Sequence, residues 1–179
     1  VGFNKTVDVS IIKKIRKEKM LIIPIIQNDF QGKVDYTRHA CRAIIINKGK
    51  ILLSYESKND KYLIPGGGIE ENESLIDCCK REVLEETGLI IRPIEEYLTI
   101  KEYFYWNKNW EHIQHYFICE IEEDTGKISL TETERKSGTT IKWVDINEAI
   151  SIFNTYKHYE EIDKALYGLY QRELIAIKE

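Results

Sequence analysis

Apolar residues recur along the chain in short runs between polar clusters, and their spacing predicts strands interleaved with helices. Cys41–Ile46 and Ile51–Tyr55 are strand-like runs around Asn47-Lys48-Gly49-Lys50, which predicts a hairpin. Tyr62–Ile64 adds a short strand that stops at Pro65. Ile94–Trp106 and Glu111–Ile121 read as two long strands joined around Asn107-Lys108-Asn109, and Thr140–Val144 as a last one. Met20–Ile26 reads as an edge strand, because Pro24 has no N–H to give a central ladder. Helical spacing predicts a short helix over Val9–Lys19, one from about Ser74 to Thr87, and another over Ile146–Phe153. Gly88 stands where a left-handed cap would close the second of these. The polar stretch Glu122–Gly138 predicts a loop. Beyond it, Tyr159, Ile162, Leu166, Leu169 and Ile177 recur at helical spacing, which predicts one long amphipathic helix over 156–177. Gly168 weakens that helix by about 1 kcal/mol relative to alanine, so packing must support the turn.

No repeat or linker divides the 179 residues, so they predict one domain, with 1–37 as an N-terminal extension packed on a domain of 38–179. Hydrophobic residues make up 42%, enough to build a core and exclude global disorder. Acids outnumber bases 30 to 26, which argues against a protein that coats nucleic acid through clustered basic charge. The basic run at 13, 14, 16, 17 and 19 reads as a solvated helix face. Cys41, Cys78, Cys79 and Cys119 form no C-x-x-C pair, so they read as buried apolar residues in a reducing compartment. No run approaches the roughly 20 apolar residues of a membrane span, and Gln27–Lys33 offers no leader cleavage site. The expected setting is the cytoplasm, with no membrane partner.

The chemistry concentrates between Gly67 and Leu89. At about 100° per residue, Glu82, Glu85 and Glu86 fall within one arc of a helix. Their mutual repulsion, near a helix C-terminus that disfavours negative charge, is a conflict that a stability-driven sequence avoids. A hard divalent cation removes it, taking carboxylate oxygens while leaving positions for substrate phosphates. The preceding Gly66-Gly67-Gly68 permits backbone conformations closed to other residues and leaves its carbonyls accessible.

The full spacing is Gly67-x5-Glu73-x7-Arg81-Glu82-Val83-x-Glu85-Glu86-x-Gly88-Leu89. It resembles the Nudix box at every defined position, and the flanking Ile51–Leu53, Tyr62–Pro65 and Trp143-Val144 agree with that family. The resemblance implies an α+β fold, an α/β/α sandwich with a mixed central sheet, the box helix on one side and a long C-terminal helix. It implies a metal-dependent pyrophosphohydrolase that cleaves a diphosphate link in a nucleotide derivative, with Mg²⁺ or Mn²⁺ as cofactor. By the same resemblance Glu82, Glu85 and Glu86, with the Gly67 carbonyl, are the metal ligands. Arg81 and Glu73 orient them, and Glu82 or Glu85 is the general base.

Glu132 and Glu134, in the polar loop, are candidate accessory acids. Arg38 and Arg42 are candidate phosphate contacts, and the aromatics of 103–106 with Trp110 and Tyr116 are candidates for stacking a nucleobase. Tyr105 stands sixteen residues after the box, where the ADP-ribose subgroup carries proline and some dinucleoside-polyphosphate hydrolases carry tyrosine. The expected partner is a nucleotide-derived small molecule, and nucleic acid is disfavoured. The resemblance also implies a homodimer. Two alternatives stand beside it: a nucleotide-sensing domain without turnover, and a pyrophosphohydrolase of RNA 5′ ends.

Overall fold

The computed structural model describes residues 20–179. The expected helix over Val9–Lys19 and its basic run lie outside the described residues. Among the described residues seven strands form one mixed sheet: β1 (Leu21–Ile26), β2 (Tyr36–Asn47), β3 (Lys50–Glu56), β4 (Lys61–Leu63), β5 (Leu89–Tyr105), β6 (Asn109–Asp124) and β7 (Thr139–Asp145). Their order is β1-β5-β6-β2-β3-β4, with β7 paired to β3. The β1–β5 and β2–β6 pairs are parallel, and the rest are antiparallel. β1 sits at the edge, where Pro24 is tolerated. The hairpin forms as its sequence predicts: Asn47 pairs with Lys50, and Lys48 and Gly49 both take positive φ, as a tight two-residue turn requires.

Residues alternate across the sheet and build two cores. Cys41, Ala43, Ile45, Leu52, Phe117 and Cys119 face α1 (Leu75–Thr87), meeting its Cys78, Cys79 and Val83. Ile44, Ile51, Leu53, Leu98, Ile100 and Tyr116 face the other way, toward α3 (Ile146–Phe153) and α4 (Lys164–Lys178). The result is a helix–sheet–helix sandwich, as expected. All four cysteines are buried and free, and Cys78 and Cys79 serve as packing residues against β2 and β6.

The structure departs from the sequence pattern in three places. The stretch expected as a loop holds a short helix, α2 (Glu132–Ser137), closed by a capping box between Thr131 and Glu134 and by Gly138. None of its residues is buried, so hydrophobic periodicity is silent about it. The long C-terminal helix is broken into a 3₁₀ turn (Asn154–Tyr159) and α4. Asp163 takes an extended conformation between them, and its side chain accepts the Leu166 N–H at 3.0 Å as the N-cap of α4. β5 starts at Leu89 rather than Ile94, because register shifts around Pro93 let the strand run through the proline.

Candidate active site

The glycine loop lies between β4 and α1 and is hydrogen-bonded along β2. Ala43 N–H donates to Pro65 at 2.9 Å, Cys41 N–H to the Gly67 carbonyl at 2.9 Å, and Ile69 N–H to His39 at 3.1 Å. Gly66 has φ 139°, and a Cβ there would lie 2.0 Å from the Cys41 carbonyl, so this turn admits only glycine. A Cβ on Gly67 would lie 2.4 Å from the Glu82 carboxyl, so glycine here leaves that carboxyl room against the loop.

Helix α1 supplies the acids. Ser74 caps its start by accepting the Asp77 N–H at 3.1 Å, and Gly88 closes its end at φ 73°, as the spacing predicts. Arg81 grips both oxygens of Glu73, Nε to Oε1 at 2.8 Å and Nη2 to Oε2 at 2.9 Å. Its Nη1 also donates to Glu82 at 2.8 Å and Glu85 at 3.3 Å, and Nη2 to the Gly68 carbonyl at 3.1 Å. Arg81 thereby locks loop and helix together. Its hydrogen bonds hold the Glu73 carboxyl below the usual range, and those to the carboxylates raise its own pKa.

Glu82 and Glu86 differ from Glu73. Burial pushes Glu82 up, against the pull of Arg81. Glu86 is pushed up to about 7, chiefly by burial and further by Glu82 and Glu134, with Ser54 and Arg42 opposing. Its hydrogen-bond partner is Ser54 on β3, whose hydroxyl donates at 2.7 Å. Glu85 is the most open of the three, with 42% of its side chain exposed. Glu82 and Glu86 are desolvated carboxylates with Glu85 open beside them, and the group, short of positive charge, fits a hard divalent cation. Among the described residues, no three acidic, histidine or cysteine side chains already converge as a ligand set. Arg81 holds Glu82 and Glu85, whereas Ser54 holds Glu86. The Gly67 carbonyl already accepts from Cys41 N–H and, at 3.6 Å, from the Cys78 thiol.

The remaining candidates separate. The Arg38 guanidinium lies over Gly68, 2.5 Å from where a Cβ would stand. Arg42 donates to the Gly66 carbonyl at 2.6 Å and to Gln114 on β6 at 3.2 Å, linking the glycine loop to the opposite face of the sheet. There a cavity of about 770 Å³ opens between the sheet and α4, within the size range of small-molecule sites. Arg42, Phe104, Tyr105 and Trp106 line it. Tyr116 instead lies in the core, and Trp110 packs edge-on against Tyr36. Glu134 closes the capping box of α2 while its charge reaches Glu86; Glu132 stands on the surface paired with Lys136.

Three polar features of the interior are absent from the sequence reading: Ser54 beside Glu86, the His39–His115–Glu96 chain, and a buried group of Glu102, Arg172 and Glu173. Each joins residues distant in sequence, and the strand pattern marks only which face each occupies. No helix among the described residues is long and apolar enough to cross a membrane.

A family model described as NUDIX domain matches residues 36–166. An 8-oxo-dGTP diphosphatase of Buchnera aphidicola subsp. Schizaphis graminum is 34% identical over 116 residues, covering 62% of this chain and 78% of that protein. An RNA pyrophosphohydrolase of Bartonella henselae is 30% identical over 117 residues, covering 55% of this chain and 65% of that protein. The chain thus spans just under two thirds of the length of the latter. The solution structure of the E. coli ORF135 protein, 20% identical, has a TM-score of 0.48 and covers 64% of this chain and 78% of its own. The family match takes in the whole loop-and-helix site and the strands that carry it, and so the chain belongs to the Nudix hydrolase family.

Proposed function

We propose that the protein is a metal-dependent pyrophosphohydrolase that cleaves the diphosphate link of a nucleotide derivative, either a nucleoside triphosphate or a nucleoside diphosphate joined to another moiety. The observation that carries this reading is the Glu82–Glu85–Glu86 face of α1, underpaired in charge and set against a glycine loop that Arg81 fastens to the helix. Residues 38–179 form the hydrolase domain in this reading, and of the expected extension 1–37 the first nineteen residues lie outside the described residues.

Glu82, Glu85 and Glu86 would hold Mg²⁺ or Mn²⁺; the Gly67 carbonyl joins them only by giving up part of its present bonding. When bound, such an ion supplies positive charge to phosphate oxygens and lowers the pKa of an attacking water. Arg81 positions the Glu82 and Glu85 carboxylates, and Glu73 anchors Arg81 in turn. Glu85, the most exposed of the three acids, is the better placed of the two candidate bases to take a proton from water. Arg38 and Arg42, at the glycine loop, meet phosphate oxygens, and Tyr105 flanks the organic moiety in the cavity. Glu134 contributes at most through its charge on Glu86, and Glu132 has no part in this reading.

The test is turnover with Mg²⁺ or Mn²⁺ over nucleoside triphosphates including 8-oxo-dGTP, nucleotide sugars, ADP-ribose and dinucleoside polyphosphates, read as phosphate release after pyrophosphatase coupling for the triphosphates and by product chromatography for every compound. RNA bearing a 5′-triphosphate belongs in the panel, because one relative carries the name RNA pyrophosphohydrolase. Metal-dependent turnover of one class supports the reading. Folded protein that binds nucleotide and turns over none of them favours the sensing alternative.

A further inference from the structure

The cavity behind the glycine loop carries a polarity that the carboxylate cluster does not explain. Glu102 on β5 lines it with a side chain only 6% exposed. Its Oε2 accepts from Arg172 Nη1 on α4 at 2.7 Å, while no described residue donates to Oε1. A buried carboxylate oxygen left open to a cavity is an acceptor awaiting a donor.

Gly168 explains why Oε1 is open. It sits inside α4, where glycine is the least favoured residue after proline. Neither a positive φ nor a close approach demands it, since a Cβ there would meet Gln27 Nε2 at 3.5 Å and Glu102 Oε1 at 3.7 Å, ordinary contact distances. Its one structural effect is to leave space in the cavity wall beside Glu102.

The neighbouring hydrogen bonds have a fixed direction. Arg42 Nε can only donate, so the Gln114 atom it meets is the amide oxygen, and the amide nitrogen faces His112 Nε2 at 2.9 Å. His112 Nε2 is therefore the acceptor, and the ring carries its proton on Nδ1. Phe104 and Tyr105 add aromatic surface to the same wall. The lining thus suits a planar ring that brings N–H donors to a carboxylate.

We infer that Glu102, in the space left by Gly168, selects a guanine-type purine as the base of the nucleotide, an assignment that rests on the hydrolase reading above. A carboxylate only accepts, and guanine presents N1–H and a 2-amino group side by side. Both donors can converge on the two lone pairs of Oε1, the oxygen that Arg172 leaves open, whereas hypoxanthine brings one. Adenine presents one amino group beside the N1 lone pair, which faces the carboxylate charge. Sites built on such buried contacts discriminate strongly, because the wrong ligand leaves the buried group unpaired.

The test measures binding of GMP, IMP and AMP to the metal-free protein by calorimetry, beside kcat/KM for GTP, ITP and ATP with Mg²⁺. GMP should bind at least about tenfold more tightly than IMP or AMP, and Glu102→Gln should remove most of that preference. Since Glu102→Gln disturbs a buried ion pair and can unfold the protein, Gly168→Ala is the second variant. It should raise Tm, by favouring the helix, while weakening GMP binding about tenfold by filling the gap. Equal binding of the three monophosphates, or unchanged GMP affinity in Gly168→Ala, would overturn the assignment. GMP selectivity without turnover of any triphosphate or guanosine-diphosphate-linked compound would support it and remove the hydrolase reading. Turnover without base preference would do the reverse.

Discussion

At Glu86 the fold buries a carboxyl group and gives it one hydroxyl as hydrogen-bond partner, and the burial raises its pKa to about 7. Ionising it in place is therefore unfavourable unless a cation arrives. Glu86→Gln keeps the shape and removes the charge, so in chelator its Tm at pH 7.5 should equal or exceed that of the parent. Turnover should fall at least about a hundredfold, the scale of losing one aligned electrostatic group. Thermal melts and the phosphate assay check both halves, and near-parental turnover would sink the metal-ligand role. The three acids were legible in the sequence, because helical geometry converts their spacing into one face. Ser54 was not, because its place beside Glu86 follows from how β3 packs under α1.

Caps decide where the elements begin and end. Gly88 holds φ 73°, and a Cβ there would come within 3.0 Å of the Lys127 backbone. Gly88→Ala should cost at least about 1–2 kcal/mol, the usual left-handed penalty for a residue with a side chain, with the close contact adding to it. Chemical denaturation checks this, and a loss below half of that would show the turn relaxing freely. Asp163 stops a helical pattern that hydrophobic spacing alone carries from 156 to 177. Asp163→Ala should lower stability by about 1 kcal/mol through loss of the N-cap, read from the same denaturation curves. An unchanged midpoint would assign the break to packing instead. The capping pair Thr131 and Glu134 and the closing Gly138 were readable signals for α2, and periodicity missed it because none of its residues is buried.

Across the whole molecule, desolvated titratable groups on opposite faces of the sheet set opposing pH responses. Burial, then the nearby charges of Arg172, Arg42 and Arg38, push His112 down to about 2, so it is neutral in the fold. Its contribution is present above its ordinary value near 6.5 and is lost as pH falls below that. Glu86, raised to about 7, contributes in the other direction, in full below about 4.5 and lost as pH rises through 7. The two slopes oppose each other between about pH 4.5 and 6.5. His112→Asn should therefore gain on the parent as pH is lowered from 6.5 to 5, by up to about 1.4 kcal/mol per unit. Urea unfolding with chelator at pH 5 to 7.5 measures the difference, and parallel profiles for variant and parent would refute the neutral, desolvated imidazole.

The sequence by itself determined the elements whose signals are local: the hairpin with two positive-φ residues, the edge strand with Pro24, and the helix between Ser74 and Gly88. It also set the acids of that helix on one face and Arg81 among them. Only the tertiary structure decided what surrounds those acids, because burial and partners depend on which strand passes beneath the helix. It alone set Ser54 under Glu86, carried Arg42 from the glycine loop to Gln114, and enclosed Glu102 with Arg172 beside Gly168. Local pattern specifies backbone conformation and face. The charge state of a buried group and the shape of a cavity come from residues far apart in the chain, and only packing brings those together.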